Sequence, residues 1–128
     1  MHKSQLAGFI IDCRTDDLTE AAAFWGAALG MAVRALPGDE GEKYVRLVDP
    51  TERLHVEVQK VEHDSRVHLD IETDDIEAEV KRLETLGASV VTRVQTWCVM
   101  QAPTGQRFCV VRAGTKDFAE RANRWDTT

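Results

Sequence analysis

The feature that most constrains this chain is an internal repeat. Phe9-Ile-Ile-Asp-Cys-Arg-Thr-Asp-Asp-Leu18 lies over Val67-His-Leu-Asp-Ile-Glu-Thr-Asp-Asp-Ile76, with Asp12 matched to Asp70 and a shared Thr-Asp-Asp-apolar run. Each segment leads into a helical stretch that closes on Leu-Gly, at Leu29-Gly30 and Leu86-Gly87. A second match follows in the same order: Asp49-Pro-Thr-Glu-Arg-Leu-His-Val56 against Ala102-Pro-Thr-Gly-Gln-Arg-Phe-Cys-Val110, with one extra residue in the later copy. Two matches in one order indicate a duplicated supersecondary unit, with a boundary in the polar stretch from Glu62 to Arg66. The 128 residues suffice for one domain with an ordinary core and are too few for two independent ones, so both copies belong to a single domain.

Local signals give the same element order in each half. Alternation marks Phe9 to Cys13 as a strand. Asp16 or Asp17 then caps a helix whose apolar positions Leu18, Ala21, Trp25 and Leu29 follow helical spacing, with Gly30 just past its end. In the second half, Asp74 and Glu77 form a capping-box pattern, Ile76, Val80 and Leu83 form the buried stripe, and Gly87 ends the helix. Val45 to Val48, Leu54 to Val61, Val90 to Val94, Trp97 to Ala102 and Phe108 to Val111 read as strands, separated by turns at Asp49-Pro50 and Pro103-Thr-Gly105. The order is βαβββ twice, followed by an amphipathic helix predicted from about Lys116 to Trp125.

Composition narrows the function classes. With 43% hydrophobic and 30% charged residues the chain is of globular type. Its formal charge of −6 and the scatter of its 16 basic residues argue against nucleic acid as a partner. No segment reaches transmembrane length and no secretory signal is visible, so no membrane partner is expected. Cys13, Cys98 and Cys109 are odd in number, lie in apolar segments and form no CxxC pair, which fits a reducing, cytoplasmic setting.

The ordered set Asp17-Leu18, Phe24-Trp25, Leu29-Gly30, Arg66-Val-His-Leu-Asp70, Asp74-Asp75-Ile76 and the Trp97 to Val111 segment with Pro103-Thr-Gly-Gln-Arg-Phe resembles the vicinal-oxygen-chelate superfamily of glyoxalases, bleomycin-resistance proteins and extradiol dioxygenases. The likeness runs to about Arg112. It implies an α+β fold of two tandem βαβββ modules, about 5–61 and 66–112, forming an open curved-sheet barrel around a small-molecule cavity, with a C-terminal helix at about 116–125. It also implies a homodimer. It does not imply one reaction, because relatives include isomerases, epimerases, ring-cleaving dioxygenases, thiol transferases and proteins that only sequester a drug.

Strand parity then separates two faces. Phe9, Ile11, Val56, Val58, Val67, Leu69, Ile71, Phe108 and Val110 are expected to face the helices. The opposite, cavity-facing set is Ile10, Asp12, His55, Glu57, Gln59, His68, Asp70, Glu72, Arg107 and Cys109, and so many polar groups on one face require water, a ligand or mutual pairing. Trp97 joins the candidate ligand-cavity residues, whereas Trp25 falls on the helix stripe and reads as core. Cys13 and Cys98 alternate onto the packing face. The acidic Asp39-Glu-Gly-Glu42 run reads as a solvated turn, and in relatives such a loop borders the cavity.

Carried over from the superfamily, the metal-ligand positions fall near Ile10, His55, His68 and Cys109, with Glu57 competing for the place of His55. Ile10 cannot bind a metal, and Cys109 stands where a glutamate is common. His55, His68 and Cys109 remain a chemically allowed three-ligand zinc site. The competing reading pairs both histidines with Asp70, Asp12 or Glu57 across the sheet and leaves Cys109 as a small packing residue. No cofactor is therefore favoured. The expected function is small-molecule binding without the full metal site, His68 being the candidate catalytic residue. The alternative is a zinc-, nickel- or iron-dependent lyase or isomerase using His68 with His55 or Glu57 and Cys109. An iron site for ring cleavage is disfavoured.

Overall fold

A computed structural model describes residues 1–126. The chain forms β1 (His2–Arg14), α1 (Leu18–Leu29), β2 (Ala32–Ala35), a 3-10 turn (Gly38–Glu42), β3 (Tyr44–Val48), β4 (His55–Val61), β5 (Arg66–Thr73), α2 (Ile76–Thr85), β6 (Ser89–Val94), β7 (Trp97–Gln101), β8 (Arg107–Arg112), α3 (Phe118–Arg121) and β9 (Asn123–Trp125). The fold class is α+β, and βαβββ occurs twice. Two compact units emerge, Gly8–Val67 and Met1–Ala7 together with the chain from His68 on. No helix among the described residues is long and apolar enough to cross a membrane.

In the unit Gly8–Val67 the strand order is β2-β3-β4-β1, with β4 parallel to β1 and the other pairs antiparallel. Helix α1 starts where the Asp17 carboxylate accepts the Glu20 N–H at 3.0 Å and stops at Gly30, whose φ of 70° is the left-handed conformation glycine adopts without steric cost. The helix packs against Ile11, Val45, Leu47, Val56 and Val58, with Ala22 at the centre and Phe9, Cys13, Leu18, Ala21 and Trp25 around it. Gly26 is needed for close approach, since a Cβ there would lie 2.8 Å from Val33 Cγ2 and 2.9 Å from Met31 O. The helix-facing parity expected for Phe9, Ile11, Val56 and Val58 is met, and Trp25 belongs to the packing layer.

The other unit repeats this plan. Strand β8 runs parallel to β5, and β7 and β6 follow antiparallel. Helix α2 covers a core of Val80, Leu83, Cys98, Met100 and Val110, joined by Ile71, Ile76, Ala88, Val90 and Phe108. Burial pushes the thiols of Cys13 and Cys98 above the ordinary cysteine range, as suits packing residues rather than activated nucleophiles.

Three expectations need correction. Val67 and Leu69 do not face a helix; they are 58% and 53% exposed, because α2 is short and its core reaches only as far along β5 as Ile71. The cap of α2 is Asp75, which accepts the Ala78 N–H at 3.1 Å, while the Asp74 carboxylate accepts the backbone N–H of Lys3 at 2.8 Å. The C-terminal helix is a single turn, Phe118–Arg121. Asn123–Trp125 instead pairs antiparallel with His2–Ser4, where the Trp125 indole N–H donates to Ser4 Oγ at 2.8 Å and the Arg82 guanidinium lies 3.9 Å from the ring centre. Strand pairing and cation–π contact offer this tryptophan more than an isolated short helix would.

Candidate functional site

The parallel registers show how the repeat positions its polar side chains. Asp12 stands opposite Gln59 on β1 and β4, and at the corresponding place Asp70 stands opposite Cys109 on β5 and β8. Side chains that alternate with the helix-facing set therefore fall in rows across the strands of each half.

In the unit that begins at His68, the row Asp70–Cys109–Val99 lies beside Arg107–Gln101, where the Arg107 Nε–H donates to Gln101 Oε1 at 2.9 Å. His68 Nε2 lies 3.5 Å from Asp70 Oδ1, and both side chains are largely withdrawn from solvent. One donor atom each from His68, Asp70 and Cys109 fall within 4.8 Å of one another. Trp97 is half-buried on β7 and alternates with the core residues Cys98 and Met100. Glu72, placed in the cavity-facing set by parity, is committed elsewhere. It accepts the N–H groups of Gly114 and Thr115 at 2.9 and 3.0 Å, the Gln5 amide at 2.8 Å and the Thr115 hydroxyl. Burial pushes its carboxyl up, but these donors outweigh burial and hold it below the usual range.

In the unit Gly8–Val67, three rows alternate with the core: Ala32–Val48–His55–Gly8, then Arg34–Arg46–Glu57–Ile10, then Tyr44–Gln59–Asp12. His55 Nε2 is 3.4 Å from Glu57 Oε2, Gln59 donates from Nε2 to the Tyr44 hydroxyl at 3.0 Å, and the buried Asp12 lies 3.5 Å from Arg66 Nε. Arg34, Arg46 and Tyr44 were not singled out in the sequence. The alternation Tyr44-Val-Arg-Leu-Val48 carried the signal, since Val45 and Leu47 are core and their neighbours must point the other way. The acidic 3-10 turn at Gly38–Glu42 is largely solvated, as its composition indicated.

A four-ligand metal site spread over both halves does not fit these residues. Ile10 occupies the place in β1 that His68 holds in β5, and its side chain is apolar and buried. A three-donor site does fit, because His68, Asp70 and Cys109 supply the nitrogen, oxygen and sulfur ligands that zinc accepts in tetrahedral sites with an open fourth position.

Structures of similar fold include the methylmalonyl-CoA epimerase of Mycobacterium tuberculosis, with TM-score 0.64 at 16% identity over 85% of this chain and 87% of that one. A variant of the Streptomyces coelicolor methylmalonyl-CoA epimerase in complex with 2-nitronate-propionyl-CoA has TM-score 0.55 at 15% identity, covering 88% and 97%. A glyoxalase/bleomycin resistance protein/dioxygenase superfamily member from Vibrio splendidus 12B01 has TM-score 0.51 at 20% identity, covering 83% and 98%. No curated protein sequence matches the chain. At these identities the structural likeness establishes the fold. The sequence profile of the Glyoxalase-like domain matches residues 8–111, most of the chain, and on that ground the protein belongs to the glyoxalase-like domain family.

Proposed function

We propose that this protein binds a small organic molecule against the polar face that carries His68, using the imidazole to anchor the ligand and to move a proton, without the four-ligand metal site of its superfamily. The observation that supports the reading is the contrast between Ile10 and His68. One half keeps an apolar side chain where the other presents an imidazole held 3.5 Å from the Asp70 carboxylate. A neutral imidazole in that setting takes a proton from a ligand carbon or hydroxyl, and Asp70 stabilises the imidazolium that results. Proton transfer next to a carbonyl is the chemistry that this pair suits. The epimerases of similar fold act on a coenzyme A thioester, which makes acyl-CoA compounds the first ligands to try. We further read the molecule as a cytoplasmic homodimer, supported by its uncrosslinked cysteines and by the exposed apolar Leu6 and Leu69.

A second reading is favoured by the proximity of His68, Asp70 and Cys109, which would together hold a zinc ion. Bound there, the metal would supply Lewis-acid polarisation of a ligand oxygen.

Elemental analysis of protein purified without chelators, together with calorimetric titration of methylmalonyl-CoA and related acyl-CoA compounds, tests both readings. The metal-free reading expects substoichiometric metal and a saturable ligand whose affinity or proton exchange in D2O is lost in His68→Ala. Stoichiometric zinc that disappears in His68→Ala and Cys109→Ser would replace the first reading with the second. Ligand exchange that survives His68→Ala would end the role assigned to the imidazole.

A further inference from the structure

We propose that Arg34 and Arg46 form a binding site for the carboxylate or phosphate group of a small anionic ligand. The two are direct cross-strand partners on β2 and β3, and Arg46 is in turn opposite Glu57 on β4. Like charges placed opposite each other on neighbouring strands destabilise a sheet. Two guanidiniums in one row therefore favour an anion beside them. Glu57 is the only carboxylate of that row, and its Oε2 is already 3.4 Å from His55 Nε2. No ion pair of either arginine occurs among the described residues, and Arg46 Nε is buried without a hydrogen-bond partner. Burial, more than any charge, pushes the Arg46 guanidinium below its ordinary range; Glu57 opposes this and Arg34 adds to it.

The bland alternative is a cross-strand Arg46–Glu57 pair beside a solvated Arg34. That arrangement leaves a buried guanidinium N–H unsatisfied, at a cost typical of an unpaired buried donor. An anion with two acceptor oxygens removes both difficulties at once, because the planar guanidinium presents parallel N–H donors that match carboxylate and phosphate oxygens. The row sets two guanidiniums against one carboxylate in a chain whose net charge is −6. This site goes beyond the role proposed for His68 and rests on different residues in the other unit.

The test follows the arginine Nε–H resonances by NMR during titration with inorganic phosphate and, separately, with malonate, at fixed ionic strength and with chloride as control. The site predicts a saturable shift of the Arg46 Nε–H signal with at least one of the two anions, and the better one identifies the chemistry of the natural group. Followed at the Arg34 Nε–H signal, Arg46→Gln weakens that binding by roughly tenfold or more, as does Arg46→Lys, which keeps the charge and loses the fork. Arg34→Gln, at an exposed position that the fold does not depend on, weakens it as well, while His68→Ala leaves it unchanged. Absence of a saturable shift with either anion would overturn the proposal. So would wild-type affinity in both Arg34→Gln and Arg46→Gln, or loss of anion binding in His68→Ala.

Discussion

Replacing Glu79 should cost this protein a large part of its stability. Glu79 lies on α2 with no solvent exposure, and its carboxylate accepts from Arg82 Nε at 2.9 Å and Nη2 at 2.8 Å while meeting His2 Nε2 at 2.8 Å. Each bond to a charged group contributes about 1.5–3 kcal/mol, yet the sum is not realised, because Arg82 is partly exposed and recovers water when its partner goes. His2, 1% exposed, has no such recourse. Glu79→Ala is therefore expected to destabilise by about 3–5 kcal/mol, the range for breaking a buried pair by deleting one partner. Glu79→Gln, which keeps the volume and sets an amide against an arginine donor, should lose about 2–3 kcal/mol. For a chain of this size 1 kcal/mol corresponds to roughly 4 °C in Tm, so the alanine variant should melt roughly 12–20 °C lower.

The pH dependence adds a second readout. Burial pushes the Glu79 carboxyl up, but bonds from Arg82, His2 and Ser4 outweigh it, and the folded-state pKa lies below the ordinary glutamate value. Such a group contributes its full stability above the unfolded-state pKa and loses it as pH falls through the folded one. Urea denaturation of wild type and Glu79→Gln at neutral and at acidic pH should thus show a gap that narrows in acid. A Gln variant within about 0.5 kcal/mol of wild type at neutral pH, the usual range of an inconsequential surface change, would refute the reasoning. So would a gap of constant size.

Two further outcomes follow from backbone geometry. A Cβ at Gly8 would fall 2.0 Å from the carbonyl oxygen of His55, its neighbour across the parallel β1–β4 pair, so Gly8→Ala should cost more than about 3 kcal/mol by urea denaturation, and a loss below about 1 kcal/mol would contradict that contact. Asp49 accepts the N–H groups of Thr51, Arg53 and Leu54 and the Thr51 hydroxyl, which holds its carboxyl down at about 2. Its contribution is present above the unfolded-state value and lost only as pH falls toward about 2, so Asp49→Asn should lower Tm at neutral pH and the difference should close only in strong acid.

The framework was legible because duplication and alternation are both local patterns. Asp12 and Asp70, matched in the repeat, stand opposite Gln59 and Cys109, whereas His55, which the second match set against Cys109, stands opposite Gly8; Gly30 caps α1, and Gly87, with positive φ, follows the Leu86 that caps α2. What escaped the sequence is set by long-range pairing. Nothing near Trp125 announces that it meets Ser4 and Arg82, and helical periodicity in a short segment gave way to a strand partner at the other end of the chain. Asp74 lost its capping role for the same reason, to the backbone of Lys3. Glu79 sits on the α2 face that propensity alone would assign to water, and its bonds to His2, Arg82 and Ser4 explain its burial.

The side chains that carry chemistry differ between the halves for a reason built into the strand. Each half spends one strand parity on its helix: Ile11, Val56 and Val58 under α1, Ile71 and Val110 under α2. Those positions fix packing volume, and the alternate positions do not, so the second set changes without altering the core. Ile10 against His68, and Gln59 against Cys109, are such exchanges on a common framework. A duplicated unit of this kind places basic residues in one half, at Arg34 and Arg46, and an imidazole with a carboxylate in the other, while both halves keep the same strand order. On the functions proposed above, substitutions at Arg34, Arg46 and His68 should alter binding with less effect on folding than Glu79→Ala, which breaks a buried pair on α2, or Gly8→Ala, which drives a Cβ into the His55 backbone.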